Sequence, residues 1–304
     1  MAISSKPLLI SIVGPTAVGK TDLAIRLARF FKTEIVSADS RQFYREMSIG
    51  TAKPSKDELS LVTHHFIDSH SISELYSAGA FGRDAIKKIG DLHGSNKIVI
   101  AVGGSGLYLK GIWEGFDDMP EIDPSIREKL NREFETRGQE PLLEELAKKD
   151  PAYFETVDRQ NTQRVIRALE VIRGTGQPFS TFRKAVKTKM PYENLKIGLN
   201  MDREKLFDRI NHRIDMMIEQ GLFDEAERLH QFKEHNALQT VGYSEIYGYM
   251  DGEYDRDEAI RLLKRNSRRY AKRQLTWFRK YEDIHWFEPD QFDEIKVLIE
   301  EKLP

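Results

Sequence analysis

Residues 8–21 read Leu-Leu-Ile-Ser-Ile-Val-Gly-Pro-Thr-Ala-Val-Gly-Lys-Thr, and this stretch decides the fold. Its first six residues form a short apolar run that is typical of a buried strand. The glycines, lysine and threonine that follow fit the P-loop pattern, in which backbone amides surround a phosphate at a helix N-terminus. Residues 21–31 have the helical periodicity that this pattern requires. The stretch therefore predicts a strand, a phosphate-binding loop and a helix in succession.

The chemistry predicted for this loop is the binding of a polyphosphate. The side chain of Lys20 would neutralise phosphate charge, and the hydroxyl of Thr21 would hold Mg²⁺. A nucleotide hydrolase normally adds an acid after an apolar strand to hold the metal, and neither Asp39 nor Asp202 follows four apolar residues. The missing acid favours a site that binds a diphosphate and releases it. The candidate phosphate-binding residues are Gly14, Pro15, Thr16, Ala17, Val18, Gly19, Lys20 and Thr21.

Further strands and helices alternate along the rest of the chain. Residues 34–37, 98–102, 197–201 and 284–287 are short β-rich runs, and helical patterns such as residues 77–92 separate them. This alternation predicts an α/β fold, a P-loop NTPase-like and mostly parallel sheet with helices on both faces.

The interval from residue 115 to residue 195 contains no predicted strand. An interval of this length is too long for a loop in a compact domain, so it predicts a helical subdomain inserted into the sheet domain. Residues 124–137 are periodic, Asp150 and Asn161 are candidate helix caps, and Gly174 is a predicted helix end. The predicted domains are therefore residues 1–114 with 196–304, a core with C-terminal helices, and the insertion at residues 115–195.

The C-terminal third predicts two helices. One covers residues 203–220 with Gly221 as its stop signal, and a long one covers about residues 255–281. Between residues 264 and 280 there are eight bases and no acid, with Tyr270, Trp277 and Phe278 among them. Such a pattern suits phosphate contacts and base stacking in RNA, and a solvated helix face is the alternative.

Composition narrows the possible functions. The 304 residues contain 47 Lys and Arg and 49 Asp and Glu, and a net charge of −2 excludes a globally basic nucleic-acid coat protein. The chain has no cysteine, which excludes disulfides, thiolate metal sites and cysteine nucleophiles. The apolar run of residues 8–13 is too short for a signal peptide or a membrane span, so we expect a cytoplasmic protein. His64 and His65 lack a third ligand at metal spacing, so we do not expect a metal site there.

Asp39 is the candidate catalytic acid or base. It follows the second predicted strand, and ligands of open α/β sheets bind at the carboxyl ends of strands. Proton acceptance, metal binding and a plain turn or cap role all remain open for it. Ser37 and Ser40 are expected to hydrogen-bond it. The glycine turn that begins at Gly103, after the third predicted strand, is expected at the same edge.

Two arginine pairs are further candidates for binding phosphate. Arg209 and Arg213 lie four residues apart on one predicted helix, and Arg164 and Arg167 lie three apart in the insertion. Ion pairing at the surface is the alternative for both pairs.

Six stretches together resemble one enzyme family. They are Gly14-Pro-Thr-Ala-Val-Gly-Lys-Thr, Ser37-Ala-Asp-Ser-Arg-Gln-Phe-Tyr, Ile49-Gly-Thr-Ala-Lys-Pro, Val102-Gly-Gly-Ser-Gly-Leu-Tyr, Asn161-Thr-Gln-Arg-Val-Ile-Arg-Ala-Leu-Glu-Val and Lys272-Arg-Gln-Leu-Thr-Trp-Phe-Arg. In this order they resemble the bacterial tRNA dimethylallyltransferases, also called tRNA isopentenyltransferases. One departure is Ser105, where the family usually has threonine.

The resemblance implies a reaction and a set of roles. A dimethylallyl group would pass from dimethylallyl diphosphate to N6 of the adenosine 3′ of the anticodon, in tRNAs that read codons beginning with U. Mg²⁺ would assist, and a monomer is expected. Asp39 would be the base at N6, Thr16 with Lys20 and Thr21 would hold diphosphate and metal, and either Arg209 or Arg213 would assist the leaving group.

The resemblance also implies a set of tRNA contacts, with the insertion holding the anticodon stem-loop. These contacts are Asp39, Ser40, Arg41, Gln42, Ser105, Arg127, Gln163, Arg164, Val165, Ile166, Arg167, Gln239, Thr240, Val241, Gly242, Tyr243, Ser244, Lys272, Arg273, Gln274, Leu275, Thr276, Trp277, Phe278 and Arg279. Two other functions share the P-loop sheet: a kinase that uses ATP on a nucleotide or small metabolite, and an RNA-binding nucleotide switch. The basic helix disfavours the kinase, and the missing metal acid disfavours both.

Overall fold

The computed structural model describes residues 6–183 and 189–303. The chain divides into two compact units, Met1–Gly115 with Lys189–Pro304, and Phe116–Thr188. The predicted insertion extended to residue 195, but residues 189–195 belong to the first unit because a strand over Glu193–Leu199 pairs with the strand over Leu8–Val13. Residues 1–5 of the predicted core and residues 184–188 of the predicted insertion lie outside the described residues.

One parallel sheet organises the first unit. Its strands are β1 (Leu8–Val13), β2 (Ile35–Ser37), β3 (His64–His65), β4 (Ile98–Gly103), β5 (Glu193–Leu199) and β6 (Ile284–Phe287). Among the described residues the spatial order is β3-β2-β4-β1-β5-β6, and every pairing is parallel. Helices α1 to α4 and α9 to α13 belong to the same unit. They are α1 (Lys20–Phe31), α2 (Lys56–Leu61), α3 (Ala78–His93), α4 (Gly106–Glu114), α9 (Arg203–Glu219), α10 (Leu222–Leu229), α11 (Ser244–Met250), α12 (Arg256–Phe278) and α13 (Phe292–Lys302).

The second unit is helical. It contains α5 (Pro124–Arg137), α6 (Glu140–Lys149), α7 (Pro151–Phe154) and α8 (Thr162–Thr175). Asp150 begins α7 and Asn161 begins α8 through side chains that accept hydrogen bonds from backbone amides, as predicted. Apolar side chains of α5, α6 and α8, among them Leu130, Leu146 and Leu169, form a core of their own.

The sheet register brings the ends of the central strands together. Val13 at the end of β1 pairs with Gly103 of β4 and Gly198 of β5, and Ser37 at the end of β2 pairs with Val102. The loops that follow these strands therefore share one edge of the sheet. This arrangement confirms the predicted α/β class, and it brings the three predicted strand-end turns to the same edge, where ligands of open α/β sheets bind.

Sequence boundaries differ from the structure in a few places. The sequence analysis did not predict β3, because two residues are too few to show periodicity, and His65 Nε2 there lies 2.8 Å from Glu34 Oε2. The prediction that α8 ends at Gly174 is wrong. The helix runs on to Thr175, and Gly176 ends it at φ 74° while its N–H donates to the Ile172 carbonyl.

Burial explains why the strands read as apolar runs. All six residues of β1 and of β4 are buried, since helices cover both faces of the sheet. No helix in the described part of the chain is long and apolar enough to cross a membrane.

Candidate active site

The loop between β1 and α1 has the backbone shape of an anion-binding site. Gly14 has φ 143°, and a Cβ there would lie 2.5 Å from the Leu199 carbonyl oxygen, so only glycine fits. Ala17 at φ 64° and Gly19 at φ 108° also adopt the left-handed region. Gly19 is the N-cap of α1 and has no side chain to cap it, which leaves the first amides of the helix available to an anion.

Lys20 supplies the positive charge of this loop. Its Nζ donates a hydrogen bond to the Pro15 carbonyl oxygen at 2.7 Å. Desolvation inside the protein, and then the neighbouring charge of Arg213, lower the pKa of Lys20 to about 7, while Asp39 acts in the opposite direction. The positive charge of Lys20 is only partly balanced by nearby negative charge, so binding of an anion would stabilise its ammonium form.

Asp39 lies just after the end of β2, as predicted, and its side chain stabilises the turn that follows. Its Oδ1 accepts hydrogen bonds from the backbone amides of Arg41 at 2.9 Å and Gln42 at 3.3 Å. Among the described residues, Oδ2 has no hydrogen-bond partner, so a proton acceptor remains. The expectation that serines hold this carboxylate is wrong. Ser37 Oγ donates to Gln42 Oε1 instead, and Ser40 contacts Ser105.

The third strand-end turn is joined to the other two by side chains. Ser105 Oγ accepts from the Ser40 amide at 2.9 Å and donates to Ser40 Oγ at 3.1 Å. Gln274 of α12 donates from Nε2 to the Gly104 carbonyl at 2.9 Å and accepts at Oε1 from the Thr16 amide at 2.8 Å. Gln274 therefore fastens the phosphate-binding loop to the turn after β4. The family resemblance assigned it to RNA, but its buried side chain is committed to this role.

These turns and helices α9, α10 and α12 enclose one cavity. Among the described residues that line it, Asp39 is the only acid, whereas Lys20, Arg41 and Arg213 are basic. The full lining is Thr16, Ala17, Lys20, Thr21, Asp39, Ser40, Arg41, Gln42, Gly50, Thr51, Ala52, Val102, Gly103, Gly104, Ile210, Arg213, Ile214, Met217, Leu222, Thr240, Val241, Gly242, Leu263, Ser267, Tyr270 and Gln274. The surplus of positive charge suits an anionic ligand.

The two arginines of α9 differ in exposure, although both line a depression beside the P-loop. Arg213 lines the cavity, and its Nη2 donates to the Ala52 carbonyl oxygen at 3.2 Å. Burial lowers the pKa of Arg213, and Asp39 opposes that effect. Arg209 is exposed and lines a neighbouring depression together with Gly19. The sequence analysis left the choice between them open, and the structure places Arg213 with Asp39.

One wall of the cavity is apolar. Helix α9 contributes residues at helical spacing, α10 contributes its first residue, and α12 contributes one leucine. The wall residues are Ile210, Ile214, Met217, Leu222 and Leu263. A ligand with both a phosphate end and a hydrocarbon end fits such a lining.

The predicted RNA contacts of the first unit divide into exposed and buried side chains. Lys272, Arg273 and Arg279 are exposed on or just beyond α12. Tyr243 and Phe278 are completely buried. The prediction of an RNA contact is therefore wrong for these two side chains, which belong to the core because the apolar faces of α11 and α12 point inward.

The second unit shows the same division. Arg127 of α5 donates from Nη1 to Glu170 Oε2 at 2.9 Å and from Nη2 to Gln163 Oε1 at 2.8 Å. Arg167 also contacts Glu170, at 3.1 Å. Three predicted contacts thus lie side by side around one buried carboxylate. Val165 and Ile166 are core residues of this unit, so the prediction of an RNA contact is wrong for their side chains too.

Sequence reasoning missed two parts of the cavity. Gly50, Thr51 and Ala52 line the cavity. They belong to the motif Ile49-Gly-Thr-Ala-Lys-Pro, for which the sequence analysis predicted no role. Ser267, and Tyr270, which was predicted only as a base-stacking residue, lie on α12 seven and four residues ahead of Gln274, which is one helix face. That spacing of polar residues was a usable signal, and the surrounding basic residues obscured it.

Comparison with known proteins agrees with this geometry. The model of the IPP transferase family matches residues 42–281. A tRNA dimethylallyltransferase of Cytophaga hutchinsonii is 52% identical over 295 residues, which covers 97% of each chain. The crystal structure of a tRNA isopentenylpyrophosphate transferase from Bacillus halodurans is 40% identical, with a TM-score of 0.73 over 98% of this chain and 97% of that one. A eukaryotic dimethylallyltransferase, captured acting on tRNA, is 25% identical with a TM-score of 0.81 over 98% of this chain and 80% of that one.

The family model spans most of the chain, and the bacterial relatives match it almost from end to end. In this chain the P-loop, the aspartate after β2 and the glycine turn after β4 lie at one sheet edge. The chain therefore belongs to the IPP transferase family, the tRNA dimethylallyltransferases.

Proposed function

We propose that this enzyme transfers a dimethylallyl group from dimethylallyl diphosphate to N6 of the adenosine 3′ of the anticodon, in tRNAs that read codons beginning with U. One observation carries the proposal. A single cavity presents phosphate-binding amides, an apolar wall and one lone carboxylate, Asp39. A phosphate ester of a small hydrocarbon and a purine amine that loses a proton need these three surfaces together.

The leaving group is held at the P-loop. The amides at the start of α1 and the Lys20 ammonium receive the diphosphate, whose negative charge increases as the C–O bond breaks. Arg213, inside the same cavity, receives part of that charge. Arg209 lies in the outer depression and is positioned to contact the diphosphate as it departs.

The acceptor is an amine of low nucleophilicity. The lone pair of adenine N6 is delocalised into the ring, so a base that accepts its proton lowers the barrier. In the balanced step the N6–C1 bond forms, the C1–O bond breaks, diphosphate leaves with the bonding electrons, and the N6 proton passes to Asp39. A base within an anticodon loop must swing out to reach such a cavity.

Mg²⁺ is part of this proposal. Among the described residues, no cluster of three acidic or histidine side chains suits a metal ion. Mg²⁺ commonly binds through few protein ligands together with substrate phosphates, and the Thr21 hydroxyl lines the cavity beside Lys20. The residues present therefore fit an ion held by Thr21 and the diphosphate. When bound, it supplies charge neutralisation at the leaving oxygen.

The second unit and α12 are the proposed tRNA-binding surfaces. Exposed bases on α12, including Lys272 and Arg273, suit backbone phosphates. On the second unit Arg127 and Arg167 share a single carboxylate, Glu170, so this pair keeps a surplus positive charge for phosphate. We place the enzyme in the cytoplasm as a monomer.

Label transfer tests the proposal. Dimethylallyl diphosphate labelled in the prenyl group, unmodified tRNA, Mg²⁺ and the enzyme should yield labelled RNA, and a tRNA with guanosine in place of the adenosine 3′ of the anticodon should stay unlabelled. Nuclease digestion then locates the label. Unlabelled RNA together with ATP consumption in the presence of a small metabolite would replace this function with that of a kinase.

A further inference from the structure

Glu225 is a buried carboxylate that the proposed chemistry does not use. It lies on α10 with only 4% of its surface exposed. Its Oε2 accepts from the backbone amides of Ser48 at 3.1 Å and Ile49 at 2.9 Å. Its Oε1 accepts from the amide of Gly50 at 2.9 Å and from the hydroxyl of Tyr243 at 2.6 Å. Four donors therefore meet one carboxylate.

This carboxylate has no basic partner among the described residues, because its contacts are backbone amides and a phenol. Burial and the charge of Glu225 raise the pKa of Tyr243, which keeps its hydroxyl protonated as a donor. A buried ion costs folding free energy unless every lone pair is used. The backbone amides of this segment donate to both carboxylate oxygens of Glu225. A glutamine has only one acceptor oxygen, so the position favours glutamate specifically.

The segment that Glu225 holds continues into the cavity. Thr51 and Ala52 follow directly, and both line it. The Ala52 carbonyl accepts from Arg213 Nη2 at 3.2 Å and from Gln42 Nε2 at 3.1 Å. The backbone N–H of Gln42 donates to Asp39 Oδ1 at 3.3 Å. One short stretch of backbone thus connects Glu225 to both charged groups of the reaction.

Tyr243 joins a second lining segment to the same point. Its ring packs on Gly50, where a Cβ would come within 2.5 Å of ring atoms. The residues immediately before it, Thr240, Val241 and Gly242, line the cavity. Glu225 and Tyr243 therefore fix the two segments of backbone that face the phosphate-binding loop.

We propose that Glu225 is a positioning residue for dimethylallyl transfer, which holds residues 48–52 so that the Ala52 carbonyl keeps the Arg213 guanidinium and Gln42 in register with Asp39. The inference rests on the proposed function, because it assigns Glu225 a part in that reaction. It requires that loss of the carboxylate act on the rate through Arg213, beyond any loss of stability.

A double-mutant cycle measures this coupling. Single-turnover rate constants are determined with saturating enzyme for wild type, Glu225→Gln, Arg213→Met and the double variant. Under these conditions a partly unfolded sample leaves the rate constant unchanged, as long as the folded enzyme still exceeds the tRNA and saturates it. We expect Glu225→Gln to slow transfer about 10- to 50-fold in the wild-type background and less than about twofold in the Arg213→Met background. Equal effects in both backgrounds would overturn the proposal.

Two further variants separate positioning from stability. Asp150→Asn removes a carboxylate that is 1% exposed and accepts from the amides of Tyr153 and Ser180 in the second unit. It should lower the melting temperature and leave the rate constant at saturating tRNA unchanged. Tyr243→Phe keeps the charge and the three amide bonds, so it should slow transfer about two- to fivefold, again only when Arg213 is present.

The outcomes distinguish failure of the proposed function from failure of the role assigned to Glu225. If wild type fails to label tRNA, the proposed function fails. If wild type transfers and Glu225→Gln matches its rate constant, only the role of Glu225 is refuted. Should Glu225→Gln not fold, Tyr243→Phe decides: a coupled slowing supports the role, and an unchanged rate constant refutes it.

Discussion

The cavity of the first unit and the Arg173 cluster of the second unit both hold partly buried cations, and their charge balance is opposite. In the cavity of the first unit, Lys20, Arg41 and Arg213 share Asp39, the single acid among the described residues of its lining. In the second unit, Arg173 alone binds two acids, Glu133 and Glu145, through four hydrogen bonds of 3.0 Å or less. Burial lowers the pKa of Lys20 and of Arg213, whereas hydrogen bonds to two carboxylates raise the pKa of Arg173.

This difference distinguishes a ligand site from a structural one. A cation that already has two carboxylate partners gains little from an added anion, and its loss leaves unpaired acids behind. A desolvated cation that lacks a full partner lowers stability until a ligand supplies the missing charge. Cavity cations should therefore cost function when they are removed, and Arg173 should cost stability.

Asp39→Asn should give the largest effect. The amide keeps the hydrogen bonds from Arg41 and Gln42 but no longer accepts a proton, so single-turnover transfer should slow about 10²–10⁴-fold. Removal of the only acid leaves the cavity more positive, so inorganic diphosphate should bind as tightly as before or more tightly. Calorimetric titration measures that affinity. Weaker diphosphate binding would contradict the charge balance described here.

Lys20→Met should produce the next largest loss. Without the ammonium group, transfer should slow about 10²–10³-fold, the usual effect of removing one charge-stabilising donor. The unliganded protein should become more stable by about 1–2 kcal/mol, because a poorly compensated buried charge is gone. Single-turnover transfer measures the first effect, and urea unfolding without diphosphate measures the second. A destabilised apo protein would show that Lys20 is structural, like Arg173.

The lowered pKa of Lys20 predicts a pH dependence. Between about 7 and the ordinary value of 10.5, the folded chain without ligand binds fewer protons at Lys20 than the unfolded chain does. Its stability should therefore rise with pH in that window. Diphosphate restores the proton, so its affinity should fall by up to about tenfold per pH unit above 7.

Calorimetry in two buffers of different ionisation enthalpy checks this proton uptake. Lys20→Met should abolish the part that belongs to the lysine, since the ionisation of diphosphate itself is common to both proteins. Equal uptake by the two proteins would refute the assignment.

Arg173→Met tests the opposite site. Glu133 and Glu145 would lose their partner, so we expect a loss of about 1–2 kcal/mol of stability, a modest figure because the pair is partly exposed. Diphosphate binding should not change. Thermal unfolding followed by circular dichroism measures the first quantity and calorimetry the second. A stable variant with impaired diphosphate binding would reverse our reading of the two sites.

Arg273→Ala should have the smallest effect. Arg273 is exposed on α12, and its guanidinium carbon lies 5.7 Å from the centroid of the Tyr270 ring. Loss of one phosphate contact should weaken tRNA binding several-fold and reduce the slope of log Kd against log salt by about 0.7–0.9. Arg261 on the same helix is the matched control, because Glu258 already pairs with it. If Arg261→Ala changes the slope equally, pairing does not decide which cations bind RNA.

The sequence predicted much of this molecule because its signals are local. The P-loop spacing, the aspartate after β2 and the helix caps Asp150 and Asn161 are each encoded within a few residues. All five predicted strands exist, and their positions were correct within about four residues, the largest difference being at β5, which was predicted at residues 197–201 and covers Glu193–Leu199. The two-residue β3 was beyond that method, because it exists only through pairing with β2.

Partner choice between distant residues was not predictable in this way. Thr16 and Gln274 are 258 positions apart, and Glu225 reaches amides more than 170 positions away. Helical spacing placed Arg209 and Arg213 on one face, yet only packing decided that Arg213 faces Asp39. Gln274 was predicted as an RNA contact because it lies within the basic cluster of α12. Its structural role depends on α12 packing beside the glycine turns.

The sequence alone therefore determined the main strands of the sheet, the P-loop pattern, the place of Asp39 after β2 and the family resemblance, since each follows from residues that are neighbours in the chain. The tertiary structure decided which cations remain unpaired, where the apolar wall stands and what holds the cavity segments in place. The physical reason is that charge compensation and desolvation depend on every group within a few ångströms, and those groups come from all parts of the chain.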